Sequence, residues 1–449
     1  MLKPIQDTQM GLSLVSLEQE VPQDYYLRQL NKVLNLGFVR EAVGPLYSCD
    51  NGRPAIDPEI IIRLFLLQAI EGIASVRELM SAVRLHLGYR WFIGLELGKS
   101  LPDHSTLSRA LERFGDEVFN DIFQRSIAQC RASGLLKSKV VHVDATTIRA
   151  DLDKDRVNKP GCADPDARFG RFPDGVKNPG YKQHTAVADQ SRVILAVEVT
   201  AANINEGNEL VAMVDEAGRQ LEEVPEAVCA DSAYASGENA AACEERGIHL
   251  ISPPREPRNH YSDEQFTIEQ FTYDEERDVF VCPNHKVLVN TGRFRRKKTR
   301  FKYRASIRDC RRCSFKGQCT KAPQRCLNVG EHHGALVRLR ANSRVDGFKA
   351  LYRRRSSVIE GIFAESKQWH GLRRAWRRGL TKMRIQSFLI AAVLNFKRLA
   401  AHIGHFWLWF CLQECRKTVK QTIWDDLNHF WHKIPVNTQH YHAYQFTTQ

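Results

Sequence analysis

The chain has 449 residues, a net charge of +13, 43% hydrophobic and 26% charged residues, which excludes a disordered chain and leaves room for two or three domains. The positive excess calls for a polyanionic partner, either nucleic acid or an acidic membrane surface. The longest apolar runs, 388–394 and 406–412, fall far short of the roughly 20 residues that span a bilayer, so no membrane partner is expected and the chain is placed in the cytoplasm.

Residues 1–135 read as a helical N-terminal domain. Asp57-Pro58-Glu59 is a helix start, with an Asp cap and Pro at the first helical position, where its missing N–H costs nothing. Ile60, Ile61, Leu64, Phe65, Leu66 and Ala69 follow at helical spacing. Ser75-Val76-Arg77-Glu78 is a capping box that opens a second helix to about Leu87. Leu101 to Thr106 opens a third, carried on by Leu107, Leu111, Phe114, Val118 and Phe119. Short helices with basic faces suggest a helix-turn-helix-like DNA-binding unit; the alternative is a packing or dimerisation domain.

From 136 to 253 the pattern changes to α/β. Lys139 to Asp144 is a short β-branched run ending in an acid. After a polar loop from Asp151 to Gly180, Gln183–Ala188 and Arg192–Thr200 form a hairpin. Glu206–Leu221 reads as a helix, Ala227–Asp231 as a second apolar run ending in an acid, Gly237–Gly247 as a helix and Ile248–Ser252 as a strand. Residues 254–340 are polar, basic and cysteine-bearing, and read as an insertion. Residues 341–403 return to helix and complete the interrupted domain. The tail, 404–449, is rich in Trp and His and carries no interpretable motif.

Asp144 and Asp231 each follow a strand run, where a side chain is presented at a sheet end. Either acid alone is more often a turn or helix cap. A third acid, Glu360, shares a helix face with Lys367, seven residues on, with Ile359 and Phe363 on the neighbouring face. Glu365 is the rival acid and reads as a solvated residue. Acids on different elements that converge at one sheet edge suit phosphodiester cleavage, in which two Mg²⁺ (or Mn²⁺) ions about 3.5–4 Å apart activate the attacking oxygen and stabilise the leaving one.

Val143-Asp144-Ala145-Thr146-Thr147, Gly180-Tyr181-Lys182-Gln183-His184, Ala230-Asp231-Ser232-Ala233-Tyr234 and Glu360-x-x-Phe363-x-x-x-Lys367, with the Arg-rich run that follows, together resemble bacterial insertion-sequence transposases of the DDE class. The order and spacing of the motifs carry the resemblance, which spans roughly residues 55–400. It implies an RNase H-like mixed sheet with flanking helices, a basic zinc-ribbon-like insertion and a preceding all-α domain. It also implies catalytic acids at Asp144, Asp231 and Glu360, and DNA contacts at Lys182, His184 and Lys367. The partners implied are transposon-end and target DNA, engaged by a homodimer on DNA in the bacterial nucleoid. Related chains carry Tyr-x2-Arg-x3-Glu-x6-Lys; here Tyr352 and Arg355 each lie one residue too far from Glu360, and Ser356 takes the Arg position.

Of twelve cysteines, most are scattered singly. Cys310-x-x-Cys313 can present two thiolates to one tetrahedral Zn²⁺, with Cys282 and Cys319 completing four ligands. Cys326 or His285 could substitute, and reduced, metal-free thiols are the alternative. The basic run 293–304 includes Arg295, Arg296, Lys297 and Lys298, and interleaves cations with aromatics in a way that suits phosphates and unpaired bases. Arg373, Arg374, Arg377 and Arg378 form a second basic cluster after the Glu360 helix. Two rival readings stand beside transposition: an RNase H-like nuclease that does not join strands, and a non-catalytic DNA-binding regulator.

Overall fold

The computed structural model describes residues 16–48, 55–157, 159–255, 265–295 and 299–404. It divides into two units, Met1–Leu399 and Ala400–Gln449. Of the second unit the described part is the last turn of the helix Leu380–Gly404. Most of the tail therefore lies outside the described residues, as do Arg296, Lys297 and Lys298 of the basic run.

The N-terminal region is helical, and its caps follow the sequence. Asp57 accepts from the Glu59 N–H at the start of the helix Pro58–Glu71, which ends on Gly72 in the left-handed region. Ser75 caps Val76–Leu85 and Asp103 caps His104–Phe114. The third predicted helix is in fact two. Gly115, at φ 65°, breaks it, and Glu117–Ala132 restarts the chain as a separate helix. Pro58–Glu71 is buried almost throughout, from Ile61 to Ile70, because its apolar residues cover more than one face.

The main sheet holds six strands: β1 (Val140–Arg149), β2 (Arg168–Arg171), β3 (Lys177–Ala188), β4 (Ile194–Ala201), β5 (Ala227–Ala230) and β6 (His249–Ile251). Strand β3 pairs antiparallel with β1, β2 and β4, while β1, β5 and β6 run parallel. The order β4-β3-β1-β5-β6, three antiparallel strands continued by two parallel ones, is an RNase H-like mixed sheet. Strand β1 does not stop at Asp144 as the sequence suggested. Ala145 to Arg149 continue the ladder against His184 to Gly180, a continuation favoured by the β-branched Thr146, Thr147 and Ile148.

The segment after β6 forms a second, fully antiparallel sheet, ordered β11-β10-β9-β8-β7. Its strands are β7 (Thr272–Asp274), β8 (Val279–Val281), β9 (Val287–Arg295), β10 (Thr299–Ala305) and β11 (Cys326–Gly330). Its core consists of Phe271, Phe280, Leu288, Tyr303, Ala305, Leu327 and Val329. The chain then returns through the helices His333–Asn342 and Asp346–Arg355, a π-helical turn Ser356–Glu360, and the helix Gly361–Trp369.

The long helix that starts at Leu380 is locked to the main sheet by Asn395. Its fully buried amide accepts from the Ile194 N–H at 2.8 Å, donates to the Ile194 carbonyl at 2.9 Å, and donates to Ser126 Oγ at 3.1 Å. One side chain thus satisfies the first residue of β4 and ties it to the helix Glu117–Ala132. No helix among the described residues is long and apolar enough to cross a membrane.

Candidate active site

Parallel pairing of β1 with β5 places Val143 opposite Ala230, so Asp144 within β1 and Asp231 just past the end of β5 follow side by side. The carboxylate oxygens of Asp144, Asp231 and Glu206 lie within 4.8 Å of one another, and all three residues are half-buried. Among the described residues this is the one group of three or more His, Cys, Asp and Glu whose ligand atoms come so close; no three of the thiols expected on Zn²⁺, those of Cys282, Cys310, Cys313 and Cys319, converge to that distance. Glu206 was read from the sequence only as the first residue of a helix. It stands just past β4, opening a 3₁₀ turn, Glu206–Glu209, capped by Asn205.

Each acid is fixed by its backbone and neighbours. Asp144 accepts from the Ala145 N–H at 2.8 Å and from the Arg355 guanidinium at 2.5 Å. Asp231 accepts from the Ala233 N–H at 2.8 Å, a local turn, and its carbonyl accepts from Ser252 Oγ at 2.5 Å. Glu206 Oε1 is 2.9 Å from Lys182 Nζ, which also donates to the Ile204 carbonyl at 2.9 Å. Asn239 holds the two loops together, donating to the carbonyls of Gly207 and Tyr234 at 2.9 Å each. The loops pass so closely that a Cβ on Gly207 would meet the Ala233 carbonyl at 2.9 Å.

The electrostatics match a crowded acidic site. Burial pushes the Asp144 carboxyl up to about 6; Asp231 and Glu206 push the same way, against Arg355 and the Ala145 N–H. Tyr234 is fully buried, and among the described residues its hydroxyl has no hydrogen-bond partner. Burial, then the charges of Asp144, Glu206 and Asp231, hold its phenol far above the usual range.

Glu360 closes the π-helical turn and is exposed; it does not belong to the converging group. Its helix is nevertheless anchored at the site. Arg355 reaches Asp144, Arg354 is 2.7 Å from Asp189, and Arg192 donates to the Ser357 carbonyl. Glu365 is not a solvated residue, as its sequence context suggested. It is 15% exposed and paired with Lys397 and Arg398, with His370 at 4.0 Å. Against the upward push of burial, these cations hold its carboxyl well below the usual carboxylate range.

The cations expected on DNA differ in burial. Lys182 and His184 are not surface groups: both are buried, engaged by Glu206 and, at 2.9 Å, by Thr200. Arg373, Arg374 and Arg378 are exposed, and the last two share Asp151 at 2.7 and 3.6 Å. Lys367 and Arg377 are half-buried; Arg377 donates to Gln68 Oε1 at 3.2 Å and lies 5.7 Å over the Phe65 ring. Of Arg295 the backbone alone is described, as the end of β9. Two cations that the sequence did not single out, Arg255 and Arg340, line an open pocket beside the acids, together with Asn205 and Ser232.

The chain matches the Transposase DDE domain over residues 136–396 and the Transposase domain (DUF772) over residues 15–113. It belongs to the DDE transposase family. The matched DDE region carries Asp144, Glu206, Asp231 and Glu360, and the second match falls on the helical N-terminal region. Among solved structures, the transposase is similar to the piggyBac transposase synaptic complex with hairpin DNA. That match has 9% identity and a TM-score of 0.33, and covers 95% of this chain and 88% of that one. It is also similar to the Mos1 transposase paired-end complex with the left transposon end, at 12% identity and a TM-score of 0.17, covering 45% of this chain and 61% of that one. No curated protein matches the transposase.

Proposed function

We propose that this transposase cleaves DNA at the ends of an insertion sequence and joins the freed 3′-OH to target DNA, using divalent cations held by Asp144, Asp231 and Glu360. Divalent cations at such a site, Mg²⁺ or Mn²⁺, activate the attacking oxygen and stabilise the leaving one. The observation that carries the reading is the convergence of Asp144 and Asp231 from two parallel-paired strands, inside the matched DDE region. The donor set fits a hard cation, because carboxylates are its preferred protein ligands and the negative charge here is only partly neutralised. Glu360 rests on the motif it shares with Phe363 and Lys367, and two observations support it. It ends a π-helical turn, a rare element that is frequent at functional sites. It also lies five residues, the length of that π-helical turn, beyond the arginine that touches Asp144.

The remaining residues of the chain have supporting roles in this reading. Lys367, Arg373, Arg374, Arg377 and Arg378 hold DNA phosphate near the acids, and Arg255 and Arg340 offer two more cations beside them. The helical N-terminal region and the basic hairpin of the insertion recognise the element ends. Two ends require two active sites, hence a homodimer on DNA. Cys282, Cys310, Cys313 and Cys319 hold a structural Zn²⁺ in the insertion. In support, Cys282, Cys310 and Cys319 pack on the core of the second sheet, and the Lys286 N–H points to Cys282 Sγ at 3.3 Å. Such a protein works in the cytoplasm, on the nucleoid. The test is incubation of labelled element-end DNA and a target plasmid with the chain in Mg²⁺: joined product supports transposition, and cleavage without joining points to a simple nuclease.

A further inference from the structure

Glu206 has no part in the expected triad, yet it is the carboxylate that the fold places with Asp144 and Asp231. Its position is built rather than incidental. Asn205 caps the turn that it opens, Lys182 is buried beneath it and bonds one of its oxygens, and Asn239 fixes its loop to the one that follows Asp231. With one oxygen held by Lys182, the second oxygen of the carboxylate is left for a cation.

An independent observation points to a ligand among these acids. Tyr234 is fully buried, its hydroxyl has no partner among the described residues, and its phenol feels the charges of Asp144, Glu206 and Asp231 together. A buried hydroxyl left without a partner is destabilising. The waters of a cation bound among the three carboxylates would donate to the hydroxyl oxygen and satisfy it.

We propose that in the DNA-free chain Glu206, rather than Glu360, is the third carboxylate of the divalent-cation site formed with Asp144 and Asp231, and that Lys182 positions it. This rests on the metal-dependent reading above and adds a residue to it. The cation is then held before DNA arrives, while Glu360 stays exposed on its π-helical turn.

The experiment is a titration of the full-length, DNA-free chain with Mn²⁺, following free ion by electron paramagnetic resonance, with a thermal melt to establish that each variant is folded. Glu206→Gln and Glu206→Asp are each expected to weaken Mn²⁺ binding by roughly ten-fold or more, and Glu360→Gln to leave it unchanged. Glu206→Asp keeps the charge and shortens the reach, so it separates ligation from a through-space effect of charge, and it carries the test if the Gln variant fails to fold. A wild-type chain that takes up no Mn²⁺ without DNA, a Glu206→Asp variant that binds like wild type, or a Glu360→Gln variant that weakens binding as much as the Glu206 changes would each overturn the proposal. None of these touches the transposition reading, which stands or falls on DNA joining.

Discussion

Arg355 donates to Asp144 Oδ2 at 2.5 Å, across 211 residues of chain, with both side chains largely buried. This contact brings the helix that leads to Glu360 against the strand that carries the first acid. The guanidinium stands where positive charge is needed to offset the acids. Replacing Arg355 with Met removes a charge-assisted hydrogen bond and should lower unfolding stability by about 2 kcal/mol in chelator-treated protein. Chemical denaturation reads this directly, and a variant as stable as wild type would show that the contact does not hold the helix.

The raised Asp144 carboxyl, about 6 against an ordinary 3.8, sets a pH dependence for the metal-free chain. The folded state binds this proton more tightly than the unfolded chain does. Asp144 therefore costs stability above pH 6, and the cost is relieved as pH falls from 6 toward 4. In chelator, wild type should gain stability relative to Asp144→Asn as pH is lowered from 7 to 5. Parallel pH profiles for the two proteins would contradict the assignment.

Glu365 and Glu360 sit five residues apart on neighbouring helical turns and should behave oppositely. Glu365 is buried with Lys397 and Arg398, so Glu365→Gln leaves two buried cations without this carboxylate and should cost roughly 3–5 kcal/mol of stability. Glu360 is exposed, so Glu360→Gln should fold like wild type yet lose DNA joining. Equal destabilisation of the two variants would make Glu360 a structural residue.

The cysteine insertion gives a stoichiometry. One Zn²⁺ per chain is expected by elemental analysis of protein purified without added metal, and Cys310→Ser should lose it and lower the melting temperature. A zinc content near zero in the folded wild-type chain would leave these thiols reduced and unligated.

Much of this was legible in the sequence, and the misses have physical causes. Asp144 and Asp231 stood out because each follows a short apolar run, and the parallel pairing of those runs brings them together. Glu206 did not, because an acid at the first residue of a helix reads as a partner for the helix dipole. The available signal was its place just past β4, on the same side of the sheet as the other acids. Lys182 and His184 are DNA contacts by the resemblance alone; pairing on both sides of β3 buries them, and Glu206 and Thr200 engage them. Glu365 was read as solvated because its partners lie more than thirty residues ahead on another helix. The second sheet was hidden because β7 and β8 are only three residues each and its longest strands, β9 and β10, carry the basic run.

The most direct test is a Mg²⁺-dependent cleavage and joining assay on DNA carrying the element's own ends, comparing wild type with Asp144→Asn, Asp231→Asn and Glu360→Gln. The expected result is joined product from wild type, none from any of the three variants, and retained binding of the DNA ends by all four proteins. A folded wild-type chain that binds those ends yet neither cuts nor joins them would contradict the catalytic reading and leave a DNA-binding regulator in its place.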